Sequence, residues 1–461
     1  MNDFLFNEFE PISSKQWKQK IQFDLKGADY NETLVWESNE GIKVKPFYHL
    51  DDVDFLNINS KKKQFSVCQS IFVSDGKTAN FLAKDALKRG ANAIEFEANE
   101  IFDVEQLLKG LYLTDDSKKI LQIHFKLNFL SADFLTELIE KTSDFTIFLN
   151  TDIIGNLVKT GNWFKNNKED HTVLENILKK ATKNTNVLSV DAGLYQNAGA
   201  NIVQQVAYAL AHANEYLNAN NDTVIQSESE ESIQFNFSIG GNYFFEIAKL
   251  RAFQYLWEIL TEEYDLNIKA NLFAKPSLRN KTLYDYNVNM LRTTTECMSA
   301  ILGGADVISN VSYDSLYHKK NEFAERIARN QLLILQEESY FKQANQFADG
   351  SYYIESLTKQ FAEKALELFK DIEKNGGFLK QLQAGTIQRK IEESATKEQQ
   401  QFDNGEIVLL GTNKHPNIDD KMKSELELYP FVKTKPRKTT IKPVIAKRLA
   451  EKLEQERLSK E

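Results

Sequence analysis

FSVCQSIFV at 65–73 and AIEFEA at 93–98 are short apolar runs rich in β-branched and aromatic residues, and a helical pattern lies between them. This alternation predicts βαβ units, in which a helix connects two parallel strands. Six further runs of this kind follow: ILQIHFK at 120–126, DFTIFLN at 144–150, VLSVDAG at 187–193, IQFNFSI at 233–239, IKANLFA at 268–274 and ADVISNVS at 305–312. Eight strands is the number in a β/α barrel, so the sequence predicts an α/β fold with a (β/α)8 TIM barrel.

The segments between these runs have helical periodicity. NIVQQVAYALAHANEYL at 201–217 and FFEIAKLRAFQYLWEIL at 244–260 repeat apolar residues at spacings of three and four, as expected for helices outside a barrel. A doubly wound open sheet would show the same alternation of strands and helices. The GxGxxG turn that favours such a sheet is absent. The barrel is therefore preferred, with the open sheet as the alternative.

The remaining sequence predicts appendages to the barrel. Residues 1–44 have little core of their own and are expected to form an N-terminal arm that wraps a partner subunit, with the barrel at 45–330. A helical extension is expected at 331–430. The Lys- and Glu-rich end, KPVIAKRLAEKLEQERLSKE at 442–461, predicts an exposed, charged C-terminal helix within 431–461.

Composition excludes several classes of function. A hydrophobic fraction of 42% is sufficient for a packed core, and a formal net charge of −9 provides no basic surface for nucleic acid or anionic membranes. The N-terminal residues lack the cationic and apolar regions of a signal peptide, and no apolar run is long enough to span a membrane. Two cysteines, Cys68 and Cys297, suit a reducing compartment, so a cytoplasmic location is expected.

Common catalytic motifs are not found. SDGKTAN at 74–80 contains the GKT of a phosphate-binding loop, but Ile71 stands where that loop requires its first glycine, so a helix start is the preferred interpretation. HExxH, paired CxxC and GxSxG are absent. Asp314 and His318 are four residues apart, and a solvated pair is preferred over a metal or acid–base site. His124, in the third strand, is expected to be a core or barrel-lining residue.

VDAGLYQNAGA at 190–200 should lie at the catalytic face of the barrel, because it ends the fifth strand and begins the next helix. Gly193, Leu194 and Tyr195 are followed there by Gln196 and Asn197. These side chains offer no base, no acid and no cation. The segment predicts a barrel mouth without reactive groups.

Several long motifs, in order, resemble the adenosylcobalamin-dependent methylmalonyl-CoA mutases over residues 17 to about 455. The motifs are KGADYNETLVWESNEGIKVKPFY, YQNAGANIVQQVAYALAHANEYL, FFEIAKLRAFQYLW, NVNMLRTTTECMSAILGGADVISN, ERIARNQLLILQEES, DGSYYIESLT and GGFLKQLQAGTIQRKIEESATKEQQQFDNGEIVLLGTNK. The resemblance implies the barrel independently of periodicity. It also implies a radical reaction that interconverts methylmalonyl-CoA and succinyl-CoA in propionate metabolism.

The same resemblance implies that reactive groups have been lost. The Tyr-His-Met of catalytic chains falls on Gly193, Leu194 and Tyr195, and a leucine cannot replace the histidine that donates to the migrating carbonyl. The strand-one motif Tyr-Ala-Gly-Phe is replaced at 69–72 by Gln-Ser-Ile-Phe, and no arginine occurs between 151 and 164 to hold a carboxylate. Asp306 and Ser309 stand where the family has glutamine and histidine. We therefore expect no catalytic residue in this chain.

The resemblance also makes predictions about the cofactor and about the positions that match the family's motifs. The Asp-x-His-x-x-Gly motif that coordinates cobalt in the family is absent, so the cobalamin-binding domain is expected to be missing, with adenosylcobalamin in the partner subunit and no cofactor or metal on this chain. An Arg292–Glu296 pair is expected on one helical face, and Arg326 and Arg329 on a helix-packing surface. The positions that match the family and are expected to be structural are Gln196, Arg292, Thr293, Glu296, Arg326 and Arg329.

The combination of a retained barrel and missing reactive groups predicts the non-catalytic small subunit of a heterodimeric mutase. Such a chain would pair with and stabilise the catalytic large subunit, without nucleic acid or membrane partners and without an expected acyl-CoA site. One alternative is an active acyl-CoA mutase barrel that uses a separate cobalamin-binding chain. The other is a stand-alone acyl-CoA-binding barrel.

Overall fold

A parallel β-sheet curls into a barrel at the centre of the protein. The computed structural model describes residues 8–58, 64–111, 120–226, 232–344, 346–433 and 436–461. The strands are β1 (Ser66–Phe72), β2 (Ala93–Ala98), β3 (Gln122–Leu127), β4 (Thr146–Asn150), β5 (Thr185–Asn186), β6 (Ser189–Val190), β7 (Ser232–Ile239), β8 (Lys269–Pro276) and β9 (Val307–Ser309). They are hydrogen-bonded in the order β5-β4-β3-β2-β1-β9-β8-β7-β6, with every neighbouring pair parallel.

The predicted fifth strand consists of two short segments. β5 pairs with β4, β6 pairs with β7, and only Val187 and Leu188 separate the two segments. The chain itself therefore joins the two edges of the sheet. The strand order follows the chain order around the ring, whereas a doubly wound sheet reverses its order at a switch point. The TIM-like α/β barrel predicted from the sequence is confirmed.

Both faces of the barrel strands are covered, and the sequences of the strands reflect this. In β2, Ile94 and Phe96 are fully buried in the main hydrophobic core, whereas Glu95 lines a cavity inside the barrel. Parallel strands covered on both faces are expected to be nearly continuous apolar runs, so acidic residues two apart in such a run, as Glu95 and Glu97 are, mark the barrel interior.

Helices surround the strands on the outside. Their bounds are α1 (Gly76–Lys88), α2 (Val104–Leu108), α3 (Ala132–Lys141), α4 (Ile153–Thr160), α5 (Asn167–Leu178), α6 (Gly193–Asn197), α7 (Ile202–Gln226), α8 (Tyr243–Glu262) and α9 (Val288–Leu302). The GKT stretch begins α1, where the side chain of Asp75 accepts a hydrogen bond of 2.8 Å from the Thr78 amide. It is a capped helix start, as the sequence analysis preferred.

Further elements precede and follow the barrel. Before it lie helices Ser14–Asp24 and Tyr30–Leu34, a hairpin of Trp36–Glu37 and Lys43–Val44, and a 3-10 turn, Leu50–Asp52. After it come α10 (Glu322–Leu333), a π-helical turn (Ile334–Glu338), α11 (Phe341–Ala344), α12 (Tyr352–Lys374), α13 (Phe378–Gln383), α14 (Thr386–Asp403) and α15 (Glu451–Leu458). Within the described ranges, no helix is both long and apolar enough to cross a membrane.

The charged C-terminal stretch is packed against the barrel, and its helix is shorter and more buried than the exposed helix expected from the sequence at 442–461. Only Glu451–Leu458 is helical, and the Glu454 side chain is fully buried. Its carboxylate lies 2.5 Å from Arg448 and accepts a 2.7 Å hydrogen bond from the Leu283 amide. The amides of Lys447 and Leu449 donate to barrel-loop carbonyls. Charge composition could not reveal that these acidic side chains have buried partners.

Replacing Glu454 is expected to destabilise the protein. Glu454→Ala should lower the free energy of unfolding by about 3 kcal/mol, because it leaves the buried Arg448 guanidinium unpaired and the Leu283 amide without its acceptor. Glu456→Ala, at an exposed position of the same helix, is the matched control and should change it by less than about 0.5 kcal/mol. Urea unfolding followed by circular dichroism measures both values. Equal stability of the two variants would show that the buried pair is unimportant.

Candidate functional site

A cavity of about 450 Å³ lies at the carboxyl-terminal mouth of the barrel. This is the end of the barrel at which enzymes of this fold place their chemistry. Its wall includes Gly193 and Leu194, the two positions at which the sequence analysis expected a loss of reactive groups. Their side chains supply a hydrogen atom and an aliphatic group. Neither can transfer a proton or hold a charge.

The backbone around Gly193 leaves no room for a larger side chain. A Cβ atom built at this position would lie 2.6 Å from Ser238 Oγ. Ser238 is itself held, because its hydroxyl accepts a 2.9 Å hydrogen bond from Asn197 Nδ2. The Asn197 side-chain oxygen accepts hydrogen bonds from Ser277 Oγ at 2.9 Å and the Leu278 amide at 3.1 Å. This part of the mouth is fixed by internal contacts.

Tyr195 and Ser309, two further positions singled out from the sequence, do not line the mouth cavity. The Tyr195 side chain is fully buried, and its hydroxyl lies 2.9 Å from His212 Nδ1. Ser309 is buried on β9, and its hydroxyl has no partner among the described residues. Neither residue lines the cavity.

Charged groups of the mouth were missed by the sequence analysis. Glu95 on β2 forms an ion pair with Lys275 on β8 and accepts a 2.6 Å hydrogen bond from Ser70 Oγ. Burial raises the pKa of Glu95, but the charges of Lys275 and Lys126 outweigh this effect and lower that pKa to about 2. Glu95 is therefore ionised at neutral pH. The available signal was the two acidic residues, Glu95 and Glu97, inside an otherwise apolar strand.

Lys126, at the end of β3, is a second charged group of the cavity. Its ammonium lies 3.6 Å from Glu97 on β2. Burial lowers the pKa of Lys126, but the nearby carboxylates of Glu97 and Asp191 more than offset this and raise it. Lys126 is thus a permanent cation whose counterion is already present.

A buried hydrogen-bond network connects the cavity wall to α7. Asp152 Oδ1 lies 3.0 Å from His212 Nε2 and accepts a 2.6 Å hydrogen bond from Tyr216. Because a carboxylate only accepts, His212 donates to Asp152 from Nε2, and His212 Nδ1 lies 2.9 Å from the Tyr195 hydroxyl. Burial raises the pKa of Asp152, but His212 and Tyr216 outweigh burial and lower it. Each member of this network has a partner, so it stabilises the mouth.

A plug of side chains fills the barrel axis beneath the cavity. The His124 ring stacks on Phe148 at 4.6 Å between centroids and contacts Phe273 edge-on at 4.9 Å. His124 Nδ1 lies 2.7 Å from Gln234 Oε1, and burial lowers the pKa of His124 to about 4. His124 is therefore a neutral barrel-lining residue, as predicted. The interior at this level is packed.

Gln196 and Glu296, two of the positions that match family motifs, take part in buried polar contacts. Gln196 donates to Glu246 at 2.9 Å and accepts from Lys249 at 3.1 Å. Glu296 forms an ion pair of 2.8 Å with Lys281. This ion pair differs from the predicted one, in which Arg292 was the partner of Glu296.

Arg292 instead donates to neighbouring oxygen atoms. Its guanidinium reaches Thr282 Oγ1 at 2.9 Å, Asn289 Oδ1 at 2.8 Å and the Leu410 carbonyl at 2.6 Å. The Thr293 hydroxyl donates to the Met290 carbonyl at 3.1 Å. These contacts connect α9 to the loops around it.

The two arginines of α10 differ in their surroundings. Arg329 is buried and donates a 2.8 Å hydrogen bond to Gln69 Oε1 on β1. Arg326 is half-buried, lies over the Phe323 ring and is 3.9 Å from Glu322. Only Arg329 thus lies on the surface that packs against the barrel.

The Asp314–His318 pair exists, with a distance of 3.3 Å between Nδ1 and Oδ2. Asp314 is buried and also accepts a 2.7 Å hydrogen bond from Asn321. The pair is therefore less solvated than expected. Across the described ranges, no group of three or more His, Cys, Asp or Glu residues could hold a metal ion.

The residues at the mouth do not fit adenosylcobalamin as a resident cofactor. A histidine that coordinates cobalt needs a free ring nitrogen at an accessible surface. Both ring nitrogens of His212 are hydrogen-bonded inside the protein, and His124 Nε2, which has no partner in the described part of the chain, is fully buried and reaches no accessible surface. No step of a reaction can be assigned to cobalamin on these residues.

The Glu95–Lys275 pair should make stability depend on pH. In the folded protein the pKa of Glu95 is lowered from its ordinary value of 4.5 to about 2, so its carboxylate stabilises the fold at pH values above 4.5. This contribution is lost as the pH falls from 4.5 towards 2. Glu95→Gln should lower the free energy of unfolding by about 3 kcal/mol at neutral pH and by about 1 kcal/mol less at about pH 3.5. Denaturant unfolding at the two pH values tests this difference.

Glu100→Gln is the matched control for this prediction, because Glu100 follows the same strand and is exposed. It should leave the free energy of unfolding within about 0.5 kcal/mol of the original at both pH values. A Glu95→Gln effect that does not change with pH would contradict the assignment of a lowered carboxyl pKa.

Comparisons with known proteins agree with this architecture. The family model described as methylmalonyl-CoA mutase matches residues 96–460. The methylmalonyl-CoA mutase small subunit of Porphyromonas gingivalis is 33% identical over 450 residues, which cover 90% of this chain and 72% of that protein. The large subunit from the same organism is 32% identical over 235 residues, or 50% of this chain and 33% of its own length.

Other relatives extend beyond the matched region. The methylmalonyl-CoA mutase of Cereibacter sphaeroides is 27% identical over 87% of this chain, and the match spans 64% of its own length. Among solved structures, dihydropteroate synthase from Thermus thermophilus has a TM-score of 0.31 and 12% identity, covering 62% of this chain and 100% of that one. This likeness is too weak to support any conclusion. From the family model and the sequence identity over most of its length, the chain belongs to the methylmalonyl-CoA mutase family.

Proposed function

We propose that the chain is the non-catalytic small subunit of an adenosylcobalamin-dependent methylmalonyl-CoA mutase. It would pair with a catalytic large subunit that holds the cofactor and interconverts methylmalonyl-CoA and succinyl-CoA. The observation that carries this proposal is the barrel mouth, where Gly193 and Leu194 line the cavity above the His124 plug. The small and large subunits that occur together in Porphyromonas gingivalis also support it.

The chemistry of the mouth supports an inactive barrel. Migration of a thioester carbonyl requires a hydrogen-bond donor aimed at its oxygen, and Leu194 has none. The two half-buried cations, Lys126 and Lys275, already have Glu97 and Glu95 as partners. A group whose hydrogen bonds are satisfied within the protein must break them before it can bind a substrate, which costs free energy.

The packed axis supports the same proposal. An extended acyl-CoA that entered along the barrel would have to displace His124, Phe148 and Phe273, all of which are at most 3% exposed. Each of these rings contacts another ring of the plug. Displacing them would expose aromatic surface and break the hydrogen bond between His124 and Gln234.

The N-terminal arm is the segment that we propose to contact the large subunit. It carries large apolar side chains that remain exposed, including Trp17, Phe23 and Trp36, which are 48%, 78% and 54% accessible. Aromatic groups clustered on a surface are typical of interface cores.

Cys68 and Cys297 are free and buried, and this supports a role in the reducing cytoplasm.

Reconstitution tests the proposed function. The chain mixed with adenosylcobalamin and methylmalonyl-CoA should give no succinyl-CoA above the background without protein. Co-expressed with a large mutase chain from the same organism, it should co-purify in a 1:1 complex that produces succinyl-CoA. Turnover by this chain together with a cobalamin-binding chain that lacks a barrel would refute the non-catalytic role.

Restoring the family residues should not restore activity. The variant Gly193→Tyr/Leu194→His should remain at background, because a side chain at 193 meets Ser238 and the axis stays plugged. The matched control introduces the opposite change, histidine to leucine and tyrosine to glycine, into the large chain, which should lose at least about a hundredfold in rate. Recovery of turnover in the first variant would show that two residues alone silence this barrel.

A further inference from the structure

The wall of the mouth cavity contains two buried polar side chains without hydrogen-bond partners. Asn150 ends β4 and Ser189 begins β6, and both residues line the cavity. They are only 7% and 3% exposed. The amide nitrogen and amide oxygen of Asn150 and the hydroxyl of Ser189 have no partner within the part of the chain that the structure describes. A buried polar group without a partner is costly, so three such atoms beside one cavity indicate a binding site.

These two side chains belong to the same part of the cavity wall. Just before them along the chain, Phe148 of β4 and Asn186 of β5 are paired in register. Two residues after them, the Asp191 amide donates a 2.8 Å hydrogen bond to Asp152 Oδ2. The asparagine and the serine lie between these two contacts, on chain segments that run side by side. One small ligand can therefore reach both.

The neighbours of both residues across the sheet have other partners. On β3, Lys126 is in register with Asn150, and its ammonium lies 3.6 Å from Glu97. On β7, Gln234 is in register with the serine, and its amide oxygen lies 2.7 Å from His124 Nδ1. The free hydrogen-bonding capacity of this wall is thus left for a ligand.

The charged side chains of the cavity favour a neutral ligand. Its lining carries three acidic and three basic residues, which give no formal net charge: Glu95, Asp152, Asp191, Lys126, Lys159 and Lys275. A charged ligand would lose its hydration on entry and would find no excess of opposite charge in return.

Apolar groups form much of the remaining wall. Phe164, Leu194, Leu278 and Val311 line the cavity, and Phe273 of the plug lies at its base. A volume of about 450 Å³ suits a small molecule. The ligand should therefore combine one polar edge with an apolar body.

A primary carboxamide matches the three unpartnered atoms. Its oxygen can accept from Asn150 Nδ2, one of its N–H groups can donate to Asn150 Oδ1, and the other can donate to Ser189 Oγ. We propose that the mouth cavity binds a small neutral primary amide with an apolar body, held by Asn150 and Ser189. This binding site goes beyond the proposed function and needs only the barrel of this chain, so a failure of either proposal leaves the other standing.

Calorimetric titration of the full chain with three probes of the same shape tests the ligand class. Benzamide carries the acceptor and both N–H groups, acetophenone lacks the N–H groups, and benzoate lacks them and is charged. Benzamide should bind saturably, and each of the other two should bind at least about tenfold more weakly. No saturable benzamide binding up to about 10 mM would overturn the proposal, as would equal affinity for acetophenone or benzoate.

Two variants test the assigned residues. Asn150→Leu keeps the approximate shape of the side chain and removes both of its hydrogen bonds to the ligand, so it should weaken benzamide binding at least about tenfold. Ser189→Ala removes one hydrogen bond and should weaken binding at least about threefold. Asn57→Leu, at an exposed position outside the cavity, is the matched control and should bind benzamide like the unaltered chain.

Thermal unfolding establishes whether each variant is folded. Ser189→Ala keeps the test decisive if Asn150→Leu does not fold, because it deletes a single oxygen atom that has no partner among the residues described. Unchanged benzamide affinity in a folded Asn150→Leu or Ser189→Ala variant would overturn the proposed placement.

Discussion

A closed barrel of eight strands leaves an interior that its own side chains must fill, and the stack of His124 on Phe148 and Phe273 fills it here. A void at this level would cost free energy in proportion to its volume. The same stack forms the floor of the mouth cavity and separates it from the rest of the barrel axis. The side chains that pack the barrel interior therefore also determine the shape of the candidate site.

Above this floor the barrel is polar, and its charges occur in pairs that join different strands. Glu95 and Lys275 connect β2 to β8, and Lys126 connects β3 to Glu97 on β2. A buried charge without a partner is strongly unfavourable, so the two members of such a pair must either both be kept or both be lost. The mouth therefore contains ionised groups that hold the barrel strands together. It also contains Gly193 and Leu194, which have no reactive side chains.

Much of the fold was predictable because strands of a barrel are local features of sequence. Every predicted run contains a strand, and the ring follows chain order. The break at Val187 and Leu188 was not predictable, because it depends on which neighbour each half of the strand pairs with. The role of His124 followed from its place in an apolar run. The pairing of Glu296 with Lys281 could not be predicted, because helical spacing indicated Arg292 as the partner of Glu296 and only the tertiary structure brings Lys281 close.

The C-terminal stretch connects the last residues of the sequence to loops at the mouth. The Lys447 amide donates to the Asn197 carbonyl, the Leu449 amide to the Arg279 carbonyl, and Glu454 accepts from the Leu283 amide. A ribosome builds these loops long before their partners, as the separations of 167 and 171 residues in this region show. During synthesis the barrel strands can therefore assemble while the mouth is still incomplete. A nascent chain that stalls before residue 447 would present an unfinished mouth to chaperones and proteases.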